Sequence, residues 1–276
     1  GNLSKYSASV GVKNWDSVDQ LKGALINNDV QIAATPAYVA ANLYNKGQDV
    51  RLVSPVVWGM LYVVGPADAP KGDWKTLKGK KVAISMPGNM PDLVFSYLLK
   101  KNGLDRKDIE VVNAADGQQA MQKIASGEAD YAVLPEHVAT LAQAKLKEKG
   151  KEITRVFNLQ EEWAKVTGKK ARFPMAGLVM PGNLVDSRPG LPAAVRAEVK
   201  ASVDKANAGD AATLQAIADH YKLPVDVVKQ VIPRLQLDVV PAKEAKADYE
   251  DFLKRLGEVN PKIYGGKLPD DKFYAE

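Results

Sequence analysis

Two hydrophobic rhythms alternate along this chain. Short continuous apolar runs of strand length are separated by longer stretches in which apolar residues recur every three or four positions. The first pattern predicts buried strands and the second amphipathic helices. Residues 6–15 alternate loosely between apolar and small or polar types and predict a strand. Asp16, with Asp19 three places on, predicts a capped helix whose apolar face is Val18, Leu21, Ala24 and Leu25. A strand over 30–35 and a helix from Pro36 or Ala37 to the Lys46-Gly47 stop follow. Residues 50–65 are strand material of unusual length, interrupted at Pro55 and Gly59. Next come a strand over 80–86, a tight Pro87-Gly88-Asn89 turn, and a helix over 90–101 that Asn89 caps. Strands at 109–113 and 130–134 then alternate with helices at 118–125 and 136–148. Further strands at 155–158 and 174–180 flank a helix at 159–166, and the remainder reads as helices over 193–207, 211–221, 225–231 and 243–256. Prolines 192, 224 and 241 stand at helix starts, where their missing N–H is no loss.

The chain also repeats itself weakly at an offset of 99 residues. Gln20/Gln119, Ala33/Ala132, Pro36/Pro135, Val39/Val138 and Ala40/Ala139 coincide, while Leu25/Ile124, Asn27/Ser126 and Asp29/Glu128 keep their character. Each copy reads helix, turn, buried strand, proline, helix start. Strands alternating with helices imply right-handed βαβ units and parallel sheets. In the same register the strand at 109–114 falls on 10–15, but the strand at 82–87 falls before residue 1. The first lobe is therefore expected to lack its opening βα unit, with residues 1–5 as the last turn of that unit's helix.

Composition narrows the function. With 276 residues, 46% apolar and 26% charged, the chain is globular and long enough for two domains. No apolar run approaches the roughly 18 residues of a membrane span. Cysteine is absent, which removes disulfides, thiolate metal sites and cysteine nucleophiles. The net charge of +5 is spread over dispersed lysines, with one dense run at 145–151, so nucleic acid is not an expected partner. Two histidines 83 residues apart, and no H-E-x-x-H, G-x-S-x-G or Gly-rich phosphate loop, give no constellation for catalysis. No cofactor, no metal and no catalytic residue is expected.

Three stretches carry a family resemblance. They are the paired units at 25–36 and 124–135, of which Asp130-Tyr-Ala-Val-Leu-Pro-Glu136 is the closer match, the segment LKGKKVAISMPGN at 77–89, and the tail GKLPDDKFY at 266–274. Together they resemble the type II periplasmic solute-binding proteins of the nitrate/sulfonate/thiamine-precursor group, which serve ABC importers. The resemblance implies two α/β, Rossmann-like lobes with mainly parallel sheets, joined by two hinge strands, and a ligand held in the cleft by hinge closure. Lobe one is expected over 1–62 plus 178–276 and lobe two over 63–177, with crossings at 58–65 and 174–180. The implied partners are a small-molecule ligand and an ABC permease in the membrane. The implied location is periplasmic or extracellular after export, as a monomer. A transporter-independent sensing or scavenging protein, or a pyrimidine-synthase-like enzyme, is the alternative, although the cysteine-rich iron motif of those synthases has no counterpart here.

In open parallel sheets, ligands lie beyond the carboxyl ends of the strands. This nominates Thr35, Pro36 and Tyr38 after one strand, Met86, Gly88 and Asn89 after another, and Glu136 and His137 after a third. Trp58 and Gly59 at the first crossing, and Phe173 before the second, complete the candidate set. Gly88 admits close backbone approach, and N–H groups at 90–92 could hold an anionic oxygen, although Pro91 removes one donor and Asp92 competes for the rest. Donors there and a carboxylate at 136 suggest a polar or zwitterionic ligand. Each candidate also has a plain structural reading: turn and cap for Pro87–Asn89, core for Trp58, helix-dipole partner for Glu136.

Overall fold

The computed structural model describes residues 1–276. In chain order the elements are α1 (Val18–Ile26), β1 (Ala33–Pro36), α2 (Ala37–Asn45), β2 (Val50–Val57), β3 (Leu61–Pro66), β4 (Lys81–Ser85) and α3 (Met90–Lys101). Then come β5 (Glu110–Ala114), α4 (Gly117–Ala125), β6 (Tyr131–Pro135), α5 (Val138–Glu148), β7 (Ile153–Asn158), α6 (Leu159–Thr167), β8 (Ala176–Pro181) and α7 (Gly182–Ser187). Four helices close the order: α8 (Leu191–Asn207), α9 (Ala211–Tyr221), α10 (Val225–Leu235) and α11 (Ala242–Val259). No helix is long and apolar enough to cross a membrane.

The chain divides into two compact units. One comprises Gly1–Trp58, Pro174–Thr213 and Leu237–Glu276; the other comprises Gly59–Phe173 and Leu214–Gln236. Residues 214–236, grouped with lobe one in the sequence reading, cluster with the second unit. Their apolar face explains this: α10 packs against α5, and its Val228, Val231 and Ile232 are buried.

The first unit holds a three-stranded sheet in the order β1-β8-β2, and the second a five-stranded sheet in the order β5-β4-β6-β3-β7. The sheets are mixed, where mainly parallel pairing was expected. Only β4–β5 and β4–β6 run parallel; β8 is antiparallel to β1 and β2, and β3 to β6 and β7. The βαβ logic nevertheless survives. β1–α2–β2 and β6–α5–β7 are each a helical crossover between like-directed strands, with one reversed strand inserted between them. An apolar run records burial but not the direction of its neighbour, so the insertion leaves no mark in the hydrophobic pattern.

The repeat is reproduced atom by atom. α1 and α4 begin and end 99 residues apart. Ser17 Oγ accepts from Gln20 N–H at 3.1 Å while Gln20 Oε1 accepts from Asp16 N–H at 2.6 Å. Asp116 Oδ1 accepts from Gln119 N–H at 2.8 Å and Gln119 Oε1 from Ala115 N–H at 2.7 Å. Gln20 and Gln119 thus coincide because each closes a reciprocal cap. The cap residue of α1 is Ser17, not Asp16, whose backbone N–H is instead a donor in the box. Asn28 and Gly127, also 99 apart, both adopt positive φ after their helices.

The strand expected over 6–15 does not form. Val10 and Val12 are 65% and 82% exposed, and Trp15 donates its indole N–H to Ala34 O at 3.1 Å. Alternation without a ladder partner does not make a strand. Pro55 stays within β2, where register shifts on either side of Ser54-Pro55 accommodate its missing donor. The true break between β2 and β3 is at 58–60.

Candidate functional site

In the second unit, three loops meet at the carboxyl ends of neighbouring parallel strands. Ile84 on β4 is level with Val133 on β6, which brings the turn beginning at Met86 beside Pro135. Met86 N–H donates to Ala114 O at 3.0 Å, tying in the end of β5. Gly117 lies so close to the start of α5 that a Cβ would stand 3.1 Å from Val138 Cγ2 and 3.4 Å from Pro135 Cδ. Met86–Asn89, 115–117 and 135–137 therefore share one rim, and each leads into a helix N-terminus.

The first of these turns is internally occupied. Met86 and Gly88 both take positive φ, 52° and 77°. Asn89 stands at the N-cap of α3 with extended backbone and no side-chain hydrogen bond to the helix start. Asp92, in the first turn of α3, is a buried carboxylate that accepts from Gly88 N–H ahead of the helix at 2.8 Å and from Ser96 Oγ at 3.0 Å, and pairs with Arg106. Asp92 was expected to compete for the N–H groups at 90–92, but its bonds go instead to Gly88 N–H, Ser96 and Arg106. The second turn is closed in the same way by the Asp116 cap.

The third turn has a different character. Glu136 and His137, joined by a cis peptide, introduce α5, whose N-cap His137 supplies no side-chain cap. The Glu136 side chain is wholly buried and pairs with Arg155 of β7. It also accepts from Thr140 Oγ1 at 2.7 Å. Arg155 lies over the Tyr62 ring at 5.0 Å, donates to Thr140 Oγ1 at 2.9 Å and pairs with Gln143. Arg234 of α10 reaches Thr140 Oγ1 at 3.4 Å and its own Gln230 O at 3.0 Å. Burial lowers the pKa of His137 from its ordinary value, with the Glu136 charge acting in the opposite sense. Burial likewise raises that of Tyr62.

The other candidates lie in tighter packing. In the second unit, Gly59 N–H donates to Leu235 O at 3.2 Å. A Cβ on Gly59 would meet Gln236 Nε2 at 2.8 Å and Gln160 Cγ at 2.9 Å, so glycine is required for close approach. Gln160 stitches the start of β3, accepting from Met60 and Leu61 N–H and donating to Leu61 O. Phe173 is buried with its ring 5.1 Å from that of Trp163. In the first unit, Trp58 is 1% exposed and donates its indole N–H to Asp238 O at 2.9 Å. Tyr38 is buried, which pushes its hydroxyl up to about 12. Thr35 is buried and donates to Pro36 O at 3.1 Å, and Pro36 begins α2 half-exposed.

Thus Met86, Gly88, Asn89, Glu136 and His137 are brought together on one rim. Gly59 belongs to the close packing where β3 starts, and Phe173 to the core of the same unit. Thr35, Pro36, Tyr38 and Trp58 belong to the other unit. Sequence reasoning missed Tyr62, Thr140, Arg155 and Arg234. The one available signal was Arg155, a lone cation inside an otherwise apolar strand run.

Known proteins are similar to this chain in sequence and in fold. Residues 8–217 match the family described as the periplasmic substrate-binding protein of phosphonate ABC transporters. YtlA of Bacillus subtilis, named as a binding protein, is 34% identical over 85 residues, which are 30% of this chain and 25% of that protein; the matched segment spans only a quarter of that relative's length. An ABC transporter protein from Parabacteroides distasonis superposes with a TM-score of 0.77 at 26% identity, covering 96% of this chain and 88% of that one. The periplasmic aliphatic sulphonate-binding protein SsuA of Escherichia coli has the same fold, with a TM-score of 0.74 at 14% identity over 95% of this chain and 80% of its own.

Proposed function

The chain belongs to the family of periplasmic substrate-binding proteins of phosphonate ABC transporters, and from that premise we propose that it captures a small polar organic ligand outside the cytoplasm and presents it to a membrane permease. The observation that carries this reading is the shared rim of the second unit, where three loops and three helix starts converge at strand carboxyl ends. Backbone donors, two guanidinium groups and a neutral-leaning imidazole gather there without a nucleophile–base pair, and no group of side chains is arranged to hold a metal ion. Such a rim can bind and orient a polar compound.

The proposed ligand-contacting residues are Met86, Gly88, Asn89 and His137, with Thr35, Pro36, Tyr38, Trp58, Gly59, Glu136 and Phe173 shaping or supporting their units. Transport function would couple capture to hinge motion at the chain crossings, of which the division into units gives four, a population shift set by the ligand's preference for the closed form. A thermal-shift panel of phosphonates, sulfonates, amino compounds and pyrimidines tests the reading, with product analysis of any hit. Stabilisation by one compound class without turnover supports it. Turnover, or no stabilisation by any class, overturns it.

A further inference from the structure

The positive charge of this chain is unevenly placed. Strands β4, β5, β6 and β7 all begin on one edge of the five-stranded sheet, opposite the rim at their carboxyl ends. The segments leading into them, 78–81, 100–110, 123–130 and 145–152, carry twelve lysines and arginines against seven carboxylates. That excess equals the net charge of the whole chain, +5. Hydrogen bonds stitch the four segments into one surface. Gly79 N–H donates to Asp108 O at 2.7 Å, Asp130 N–H to Lys81 O at 2.9 Å, and Lys151 Nζ to Ile124 O at 2.6 Å.

The carboxylates of this edge are largely turned to the chain itself. Asp105 and Asp108 close a reciprocal cap, Glu128 pairs with Lys123, and Asp130 accepts from Lys81 N–H at 3.4 Å. Arg106, the one guanidinium, pairs with Asp92. The lysines remain. Lys78, Lys80 and Lys81 before β4, and Lys107 before β5, are exposed and form no ion pair. The same holds for Lys145, Lys147 and Lys149 before β7. The negative end of α5 favours Lys145 and Lys147, but Lys80 and Lys81 open a strand, where no comparable dipole calls for them.

The chemistry of this surface selects its partner. The exposed large apolar residues of the chain all lie elsewhere, so the edge offers no anchor for a protein interface. Its four segments contain no aromatic residue on which a base could stack. Lysines are mobile point charges, suited to a fluid array of anionic headgroups. We propose that this edge of the second unit rests on the anionic headgroups of a lipid bilayer and leaves the rim open to ligand. The contact rests on the lysines alone; that it keeps the protein beside a permease rests on the substrate-binding reading.

The test is co-sedimentation of the full chain with vesicles of phosphatidylglycerol and phosphatidylcholine, against vesicles of phosphatidylcholine alone. Three triple variants are compared: Lys78→Gln, Lys80→Gln, Lys81→Gln; Lys145→Gln, Lys147→Gln, Lys149→Gln; and, as a control in the first unit, Lys13→Gln, Lys46→Gln, Lys254→Gln. The proposal expects binding to the anionic vesicles only, weakened by salt, and a loss of about tenfold or more in each edge triple. The control should change by less than threefold. No binding to anionic vesicles, equal binding to phosphatidylcholine, or an equal loss in the control overturns the proposal. Tighter binding to polyglutamate, a probe for acidic protein surfaces, overturns the lipid assignment. Should an edge triple fail to fold, acetylation of wild-type lysines with and without vesicles decides. Protection at 78–81 and 145–149 supports the contact, and protection confined to other lysines refutes it. Ligand stabilisation should be unchanged in the edge triples, so failure of the membrane contact and failure of the binding function are read separately.

Discussion

Replacing Glu136 by glutamine separates two views of that carboxylate, ligand group or structural anchor. Its side chain is entirely withdrawn from solvent, while the Arg155 side chain retains 17% exposure. Glutamine keeps the shape and one acceptor for Thr140 but leaves Arg155 without its counter-charge, over the Tyr62 ring and beside Gln143. Breaking a buried ion pair from one side costs about 3–5 kcal/mol. The residual solvation of Arg155 and its bond to Gln143 place this case at about 3 kcal/mol. For domains of this size a loss of that magnitude lowers the melting midpoint by about 10 °C. Thermal unfolding of ligand-free protein, followed by circular dichroism, measures it. The double variant Glu136→Gln, Arg155→Met should be more stable than Glu136→Gln alone, because it removes the stranded charge. A midpoint for Glu136→Gln within 1 °C of wild type, or strictly additive effects in the cycle, would refute the anchor role and return Glu136 to the ligand.

Other expectations follow from the same geometry. Because burial depresses the pKa of His137, the unfolded chain takes up this proton first as pH falls below the ordinary value of 6.5. Its contribution to stability is full above that pH and declines below it, so His137→Gln should flatten the stability-versus-pH curve on the acid side, as urea midpoints at a series of pH values will show. Gly177→Ala would place a Cβ 2.4 Å from Ser54 O and 2.9 Å from Pro55 Cα, backbone atoms that cannot yield; a loss of about 3 kcal/mol is expected from denaturant titration. Asp116→Ala and Ser17→Ala remove equivalent caps and should each cost about 1 kcal/mol, read from unfolding midpoints.

Much of the architecture was legible because local chemistry fixes it. The 99-residue register set the helices α1 and α4 in equivalent positions; that Gln20 and Gln119 close the same cap, and that Asn28 and Gly127 turn left-handed, is what the structure adds to it. The direction of strand pairing was not legible, because β1 and β6 are buried runs whose pattern is the same whichever way a neighbour points. Residues 6–15 misled for the opposite reason: they carry a strand's alternation, but a strand exists only where another backbone completes its ladder.

The candidate site was half visible. Gly88, Glu136 and His137 follow from strand ends and turn chemistry, both of which lie within a few residues. Arg234 does not, since only the tertiary docking of α10 on α5 brings it to Thr140, 94 positions away in sequence. Asp92 was visible as a competitor for the N–H groups at 90–92, but its hydrogen bond goes to Gly88 N–H, ahead of the helix.

The most direct measurement is isothermal titration of the full chain with small oxyacids and amino compounds, with the recovered ligand analysed afterwards. Saturable one-to-one binding of a single compound class, with the ligand recovered intact, is the predicted result. Chemical conversion of the bound compound, or no saturable binding by any class, would contradict it.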